Sequence, residues 1–249
     1  MLTKDTAICI RTTDYSETSQ VVTFFTRAAG KVDAIAKGSK RPKSSFGGPL
    51  EIFSYGQIIF TDSNREKLST LTEFVQQKDF SSLATNHFGL NCAYLAVELA
   101  DKLTTDYDPH PELFDSLVEF LQNLQDSRED ANRLVLLIFF QLTLLKEIGL
   151  QPILSHCANC KTSIEHRVSS IEYRVYFSSS ANGLVCHDCE ASFPDKIKLS
   201  TQAAAVLNNF KSLPQSQEKT LREIEKVLLH HFTETIGRPP KMAKYFRDL

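Results

Sequence analysis

Alternation of apolar and polar residues dominates the first eighty residues of the chain. Five segments are rich in β-branched and aromatic residues, and several alternate with a period of two, as half-buried strands do. These segments are residues 7–11, 21–26, 32–36, 52–61 and 67–75. Five short antiparallel strands predict a small barrel, for which the oligonucleotide-binding (OB) fold is the first candidate.

Beyond this region the apolar residues recur with helical spacing. Asp79 is a suitable cap for a first helix that ends near Leu103, and Pro111 is a suitable first residue for a second. A third helix, apolar on nearly all sides, is expected at the centre of a bundle. The third and later predicted helices cover residues 129–148, 201–213 and 217–236, the last capped by Gly237, with a further short helix in the tail after the prolines.

These patterns predict an α+β chain with more than one domain. We expect an OB-fold β-barrel over residues 1–78 and an all-α helical domain over residues 79–249. A cysteine-containing insertion over residues 153–195 interrupts the helical domain. No apolar run is long enough to span a bilayer, and the amino terminus has no apolar signal-peptide core, so we expect a cytoplasmic protein without a membrane partner.

The clearest chemical signal is a pair of C-x-x-C motifs with twenty-five residues between them. Four thiolates in this arrangement can bind one tetrahedral Zn²⁺ and leave no open position for water or substrate, which predicts a structural site with one zinc per chain. The predicted ligands are Cys157, Cys160, Cys186 and Cys189. A disulfide framework is the alternative, and it requires an oxidising compartment. The interval is long enough for a β-hairpin, and His156 and His187 adjoin the motifs as less favoured ligands.

Charge is unevenly distributed along the chain, although the net charge is only −2. Residues 1–50 contain eight Lys or Arg against four acids, whereas residues 106–130 contain eight acids and only Arg128. A polyanion is therefore expected to bind the first domain. A Gly/Ser/Pro-rich loop between two predicted strands concentrates the cations, and it can contact nucleic-acid phosphates or simply be solvated. The candidate DNA contacts are Lys31, Lys37, Lys40, Arg41 and Lys43.

Motifs for catalysis are missing from the sequence. It contains no G-x-S-x-G, H-E-x-x-H or P-loop pattern, and Cys9 and Cys92 lie in apolar contexts typical of small core residues. His230 and His231 are better interpreted as surface or packed residues than as ligands. We therefore predict a protein that is not an enzyme.

Three segments near the amino terminus resemble the signature of the bacterial recombination mediator family RecO. They are Asp5-Thr-Ala-Ile-Cys-Ile-Arg-Thr-Thr-Asp-Tyr-Ser-Glu-Thr-Ser, Val22-Thr-Phe-Phe-Thr-Arg-Ala-Ala-Gly-Lys-Val and Ala36-Lys-Gly-Ser-Lys-Arg-Pro-Lys-Ser-Ser-Phe-Gly-Gly-Pro-Leu50. Residues 142–152 and the cysteine motifs resemble the helix and zinc region of the same family. The resemblance covers essentially the whole chain in the same order.

The resemblance implies an OB domain, a helical domain and a zinc-binding insertion. It also implies DNA repair and homologous recombination: binding of single- and double-stranded DNA, annealing of complementary strands, and loading of the recombinase RecA, together with RecR, onto DNA coated by the single-stranded-DNA-binding protein. By motif match, the loop cations carry over as DNA contacts and the four cysteines as metal ligands. The implied location is the nucleoid.

One further partner is expected on the helical domain. Its third helix could line a groove for the C-terminal tail of the single-stranded-DNA-binding protein, with Arg133 or Lys146 as a cation at the rim. The family pattern Arg-Phe-Glu in this helix is replaced here by Phe139-Phe140-Gln141. A zinc-stabilised OB-fold adaptor for transcription or RNA binding is the alternative function.

Overall fold

The computed structural model describes residues 2–61, 68–78, 80–164 and 174–246. The chain forms two compact units. The first consists of Met1–Leu90 and Val97–Gln125, and the second of Asn91–Ala96 and Asp126–Leu249. Two predicted features, the start of the fifth strand at Lys67 and the capping role of Asp79, lie outside the described residues.

Five strands of the first unit form a sheet that closes on itself, as predicted for an OB barrel. The strand order is β1-β2-β3-β5-β4, and β4 pairs again with β1. The strands are β1 (Leu2–Asp14), β2 (Gln20–Thr26), β3 (Gly30–Ala36), β4 (Tyr55–Thr61) and β5 (Ser69–Lys78). The expectation of a wholly antiparallel sheet was wrong for one pair, because β3 and β5 run parallel where the sheet closes.

The barrel core follows from the alternation in the sequence. In β3 and β4 every second side chain is buried, so one face of each strand points into the barrel. Phe24 and Phe60 are among its largest fully buried side chains. A register shift between Cys9 and Arg11 bends β1. This bend lets the 13-residue strand pair with β4 through its first half and with β2 through its second.

The helical segments that directly follow the barrel belong to the first unit except for Asn91–Ala96 and Asp126, which belong to the second. A 3-10 helix (Ser81–Thr85) precedes α1 (His87–Leu103), and α2 spans Pro111–Asp126 as its predicted first residue indicated. In the described residues α1 begins later than the predicted helix. The helix begins at His87 because the Asn86 side chain accepts a 2.6 Å hydrogen bond from the Gly89 N–H and satisfies one of the free donors of the first turn.

Three helices belong to the second unit: α3 (Asp130–Glu147), α4 (Thr201–Asn208) and α5 (Glu218–Ile236). Buried faces of α3 and α5 pack against each other, which places α3 in the core as predicted. The predicted helix 201–213 is shorter than expected and continues as a 3-10 helix (Phe210–Gln215). Asn209 leaves the helical conformation, with φ of −131° and ψ of 87°, so the α-helix ends six residues before Pro214.

The C-terminal part of the second unit matches the sequence pattern at two points. Gly237 ends α5 in the left-handed conformation with φ of 77°. A short 3-10 helix (Lys241–Phe246) then follows the prolines. None of the helices in the described part of the chain is long and apolar enough to cross a membrane.

Between α3 and α4 lies a small three-stranded sheet. Its strands are β6 (Val175–Ser178), β7 (Gly183–Cys186) and β8 (Ile197–Lys198), in the order β7-β6-β8. The predicted hairpin between the two cysteine motifs is therefore present as β6 and β7. At Gly183 a Cβ atom would lie 2.3 Å from the Ile153 carbonyl oxygen, so only glycine permits this close approach.

Candidate metal centre and nucleic-acid interface

The first cysteine pair lies on a tight turn that follows α3. The Cys157 N–H donates to the Thr162 carbonyl oxygen at 2.9 Å, and the Lys161 N–H donates to the Cys157 carbonyl oxygen at 3.0 Å. The second pair lies at the end of β7, where Cys186 is the last strand residue and Cys189 belongs to the 3-10 helix that follows. The backbone of each pair is therefore fixed by local hydrogen bonds.

These turns bring the four sulfur atoms together. The Sγ atoms of Cys157, Cys160, Cys186 and Cys189 all lie within 4.8 Å of one another. The distance between Cys160 Sγ and Cys186 Sγ is 3.6 Å, and none of the six cysteines, all of which lie in the described residues, forms a disulfide. Sulfurs bound to a tetrahedral zinc at 2.3 Å lie about 3.8 Å apart, so this donor set fits such an ion. We call these four residues the cysteine cluster.

Metal binding needs thiolates, and the surroundings favour this form at Cys160 but not at Cys189, whose pKa is raised although the hydrogen bond from Asn159 lowers it. A hydrogen bond with the Thr162 side chain, at 3.2 Å, is the main cause that lowers the pKa of Cys160 to about 6. The Cys186 N–H donates to Cys157 Sγ at 3.4 Å, and the Asn159 side-chain amide donates to Cys189 Sγ at 3.3 Å. Amide donors of this kind orient metal-binding thiolates and compensate their charge.

The two neighbouring histidines do not join the cluster. His156 Nδ1 lies 2.9 Å from Ser155 Oγ, and His187 Nδ1 lies 3.2 Å from a Glu190 carboxylate oxygen. Within the described residues, the group of side chains that could hold a metal ion consists of the four cysteines. A shell of four protein sulfurs has no free position, so its chemistry is structural.

The basic loop, residues 37–50, connects β3 to the fourth strand of the barrel and is anchored at both ends by a buried glutamine. Gln20 Oε1 accepts hydrogen bonds from Ser39 Oγ and from the Leu50 N–H, both at 2.9 Å, and its Nε2 donates to the Leu50 carbonyl oxygen at 3.1 Å. Phe46 packs against the barrel core. The sequence interpretation of a loop with few anchors therefore underestimated its order.

Three cations of the basic loop point into solvent. Lys37, Arg41 and Lys43 are exposed, and no ion pair is found for them within the described part of the chain. Lys40 is different, because its Nζ lies 2.7 Å from a carboxylate oxygen of Asp14 and its side chain is only 27% exposed. The structure thus brings the four predicted cations of the loop onto one anchored surface, and one of them, Lys40, is already neutralised by Asp14.

The structure places Lys31 in a different environment from the loop cations. Its Nζ donates to the carbonyl oxygens of Asp101 and Thr104 at 2.8 and 2.9 Å, and its side chain is only 12% exposed. Carboxylate oxygens of Asp101 and Asp106 lie 3.7 and 3.4 Å away. Because an ammonium group has three donors, these partners leave little capacity for a phosphate. Lys31 ties β3 to the end of α1 instead.

Arg27 has a comparable internal role. Its guanidinium donates two 2.9 Å hydrogen bonds to the Asp115 carboxylate of α2. Hydrogen bonding to Arg27 lowers the pKa of Asp115. The acidic stretch therefore supplies partners for barrel cations within the same compact unit, in addition to its expected repulsion of DNA.

The two predicted rim cations of α3 differ sharply in exposure. The Arg133 side chain is only 7% exposed, and it bonds to the Asp130 carboxylate at 2.6 Å and to the Ser127 carbonyl oxygen. A buried, paired guanidinium is poorly placed to receive an acidic peptide. Lys146 is 64% exposed, with Glu147 at 3.6 Å. Phe139 is 39% exposed on the same helix.

Several ionisable groups are buried in the second unit. Gln141 Nε2 donates a 2.9 Å hydrogen bond to Glu225 Oε1, and burial raises the pKa of Glu225 to about 8. Burial also lowers the pKa of His231 and raises that of Cys92. Cys92 and, in the barrel, Cys9 are fully buried, as predicted for small core residues.

Sequence reasoning missed two residues that shape the nucleic-acid surface. Gln20 adjoins an apolar strand segment, and a polar residue at an inward-facing strand position is the signal that could have indicated a buried anchor. Asp14 ends β1, and no local pattern could have paired it with Lys40, which lies twenty-six residues later. Both act through tertiary contacts.

The closed five-stranded barrel with an anchored basic loop defines a protein of the OB-fold class, and its accessory region carries a cysteine cluster able to hold a metal ion. Two family models match this chain: "Recombination protein O N terminal" over residues 1–78 and "Recombination protein O C terminal" over residues 87–244. The chain therefore belongs to the RecO family of DNA repair proteins.

Similar proteins extend along the whole chain. The "DNA repair protein RecO" of Bacillus pumilus (strain SAFR-032) and that of Bacillus subtilis (strain 168) are each 30% identical over 256 residues, covering 100% of this chain and 95% of the relative. The protein of the same name from Listeria monocytogenes serotype 4b (strain F2365) is 28% identical and covers 97% of this chain and 92% of its own.

Proposed function

We propose that this protein is a non-enzymatic recombination mediator whose barrel binds DNA through the basic loop. The observation that carries the proposal is the placement of Lys37, Lys40, Arg41 and Lys43 on one anchored loop of the barrel. Cations on a barrel loop can follow a phosphate backbone without reading its sequence. The surface therefore suits both single- and double-stranded DNA.

The mediator activity proposed here has three parts. The protein anneals complementary strands, acts on DNA coated by the single-stranded-DNA-binding protein, and works with RecR to load RecA. Membership in a family of DNA repair proteins supports this assignment. The exposed loop cations Lys37, Arg41 and Lys43 neutralise phosphates of two strands and so reduce their repulsion during annealing.

We also propose that the cysteine cluster binds one structural Zn²⁺ per chain. Its support is the donor set, since four close sulfurs without an oxygen ligand favour zinc over hard cations such as Mg²⁺. When bound, the ion would cross-link the turn after α3 to the β6–β7 hairpin.

For the acidic tail of the single-stranded-DNA-binding protein, the exposed Lys146 is the better candidate contact, because Arg133 is buried and paired.

A salt-dependence experiment tests the DNA-binding part of the proposal. Replacing Lys40, Arg41 and Lys43 together by Ala should weaken binding to all sequences alike and reduce the slope of log K against log salt by about 2 units, one each for Arg41 and Lys43, because Lys40 is already paired with Asp14. The measurement is fluorescence anisotropy with labelled DNA at several salt concentrations. The matched control replaces the exposed Lys211, Lys219 and Lys226 of the second unit by Ala and should retain the slope.

An annealing assay tests the mediator part. The purified protein should speed the pairing of complementary strands already coated by the single-stranded-DNA-binding protein, and the triple loop variant should not. An unchanged salt slope in that variant would assign the basic loop to solvent or to a protein partner. Preferential binding of RNA with no annealing would instead support an RNA-binding adaptor.

A further inference from the structure

Tyr15 is an exposed aromatic residue beside the basic loop. Its side chain is 63% exposed, the largest exposure among the aromatic residues in the described ranges. It lies in the connection between β1 and β2, residues 15–19. A single exposed aromatic residue has no meaning by itself. Its surroundings therefore decide whether this ring has a function.

The β1–β2 connection is an ordered turn. The Tyr15 N–H and the Ser16 N–H both donate to the Ser19 carbonyl oxygen, at 3.0 and 3.2 Å, and the Thr18 N–H donates to Ser16 Oγ at 3.3 Å. The backbone that carries the Tyr15 ring is thus fixed although the ring itself faces solvent. A ring on a fixed backbone loses less conformational entropy when it binds a ligand.

The same turn is bonded directly to the basic loop. The Lys40 N–H donates to the Thr18 carbonyl oxygen at 3.1 Å, and the Gly38 N–H donates to Ser19 Oγ at 3.1 Å. Asp14, the neighbour of Tyr15, forms the ion pair with Lys40. An exposed ring and a set of phosphate-binding cations therefore share one continuous, hydrogen-bonded surface.

This combination of groups is the one that single-stranded nucleic acid needs. Cations follow the backbone, while aromatic rings stack on unpaired bases, and every base has a face that can stack. Asp14 and Glu17 flank Tyr15 and disfavour a phosphate at the ring itself, but they do not repel an uncharged base. In a duplex the bases are already stacked on one another and cannot cover the ring.

We propose that Tyr15 is a base-stacking residue, and that it gives the DNA surface of this protein a preference for single strands. The inference rests on the proposed DNA-binding function and deepens it. The basic loop supplies affinity for any DNA, and Tyr15 distinguishes unpaired from paired bases. This preference favours annealing, because bases leave the Tyr15 ring once they pair with a complementary strand.

Substitution of the ring tests the proposal. Tyr15→Ala should weaken binding to single-stranded DNA by about fivefold to a hundredfold, the effect of losing one stacked base. Binding to a duplex of the same length should stay within twofold. Tyr15→Phe, which keeps the ring, should restore single-strand binding. The salt slope should not change in either variant, because tyrosine carries no charge.

A fluorescence experiment reports stacking directly. The chain contains no tryptophan, so Tyr15→Trp introduces a single probe at this position. Its emission should be quenched by single-stranded DNA and little affected by duplex DNA. Tyr245→Trp is the matched control, because Tyr245 is also an exposed tyrosine, at 51%, and lies in the second unit.

The outcomes separate this inference from the function on which it rests. If the wild-type protein bound no DNA, the proposed function would itself be wrong. If the wild type bound DNA while Tyr15→Ala kept full single-strand affinity, only the stacking role would be overturned. Equal quenching of both tryptophan variants by single-stranded DNA would also overturn it, whereas quenching confined to Tyr15→Trp supports it.

Discussion

Different interactions hold the basic loop and the cysteine region (residues 157–189), of which the structure describes residues 157–164 and 174–189. The basic loop is closed by hydrogen bonds to one buried side chain, Gln20, and by the packing of Phe46 on the barrel core. The cysteine region brings four sulfurs within 4.8 Å without a covalent bond between them. Close thiolates repel one another, so we expect this arrangement to depend on a cation.

An aspartate carboxylate holds the turn of the β6–β7 hairpin. The Asp195 carboxylate accepts hydrogen bonds from Ser178 Oγ, from the Ser180 N–H and from Ser180 Oγ, at 2.7 to 3.0 Å. Burial opposes the ionised form, but these hydrogen bonds lower the pKa of Asp195 to about 2. The hairpin is therefore tied at its turn by protein groups and at its open end by the cysteine cluster.

Because different interactions hold them, the two regions should lose their structure under different conditions. The basic loop has all its partners within the folded barrel, so it should persist as long as the barrel does. The cysteine region should respond to chelators and to loss of a single ligand, independently of the barrel. The strongest expected effect is therefore on the metal site.

Cys186→Ser removes one ligand and should loosen the cysteine region while the barrel stays folded. Structural zinc contributes about 10–16 kcal/mol in small zinc domains, so the amides of β6 and β7 should exchange more than about a hundredfold faster. Hydrogen exchange followed by mass spectrometry measures this. Metal analysis should find about one zinc per wild-type chain and less in the variant.

A chelator supplies the control for that variant. It should accelerate exchange in the wild-type cysteine region and add little to Cys186→Ser, while barrel peptides stay protected in both. Zinc-free wild-type protein with unchanged protection of β6 and β7 would show that protein contacts alone hold the hairpin.

Gln20→Ala tests the buried anchor of the basic loop. It leaves Ser39 Oγ and both backbone groups of Leu50 without their buried partner, which should destabilise the first unit by about 2–3 kcal/mol. Denaturant unfolding gives the free energy, and DNA affinity should fall because the loop cations are no longer held together. Gln77→Ala, an exposed change on β5, serves as control. Equal stabilities of the two variants would mean that the anchor is dispensable.

Asp14→Asn should have the smallest effect, and its direction is informative. The substitution removes the carboxylate that neutralises Lys40, so DNA affinity should rise by a few fold and the salt slope should increase by up to about one unit. Anisotropy titrations over a range of salt concentrations measure both. A decrease in affinity would instead indicate that Asp14 holds Lys40 in its DNA-binding orientation.

Much of the fold was predictable because its determinants are local. Two-residue alternation specified the barrel strands, and Pro111 and Gly237 marked helix ends that the structure confirms. The start of α1 was not predictable with the same accuracy, because Asn86 and the residues before it compete as caps within a few residues. The end of α4 at Asn208 was not predictable from local signals, because the helical periodicity continues to Leu213, next to Pro214.

By itself, the sequence determined which residue types were available: four cysteines at metal-ligand spacing, a run of cations on a Gly/Ser/Pro loop, and five strand segments. The tertiary structure decided which of those cations remain accessible. Lys31 and Lys37 look alike in the sequence, yet Lys31 is enclosed by the end of α1 and Lys37 is exposed. Arg133 is likewise buried in the folded chain, where it pairs with Asp130. Spacing within a motif is a property of the local chain, whereas the partner and solvent exposure of a charge depend on segments far apart in sequence, which only folding brings into contact.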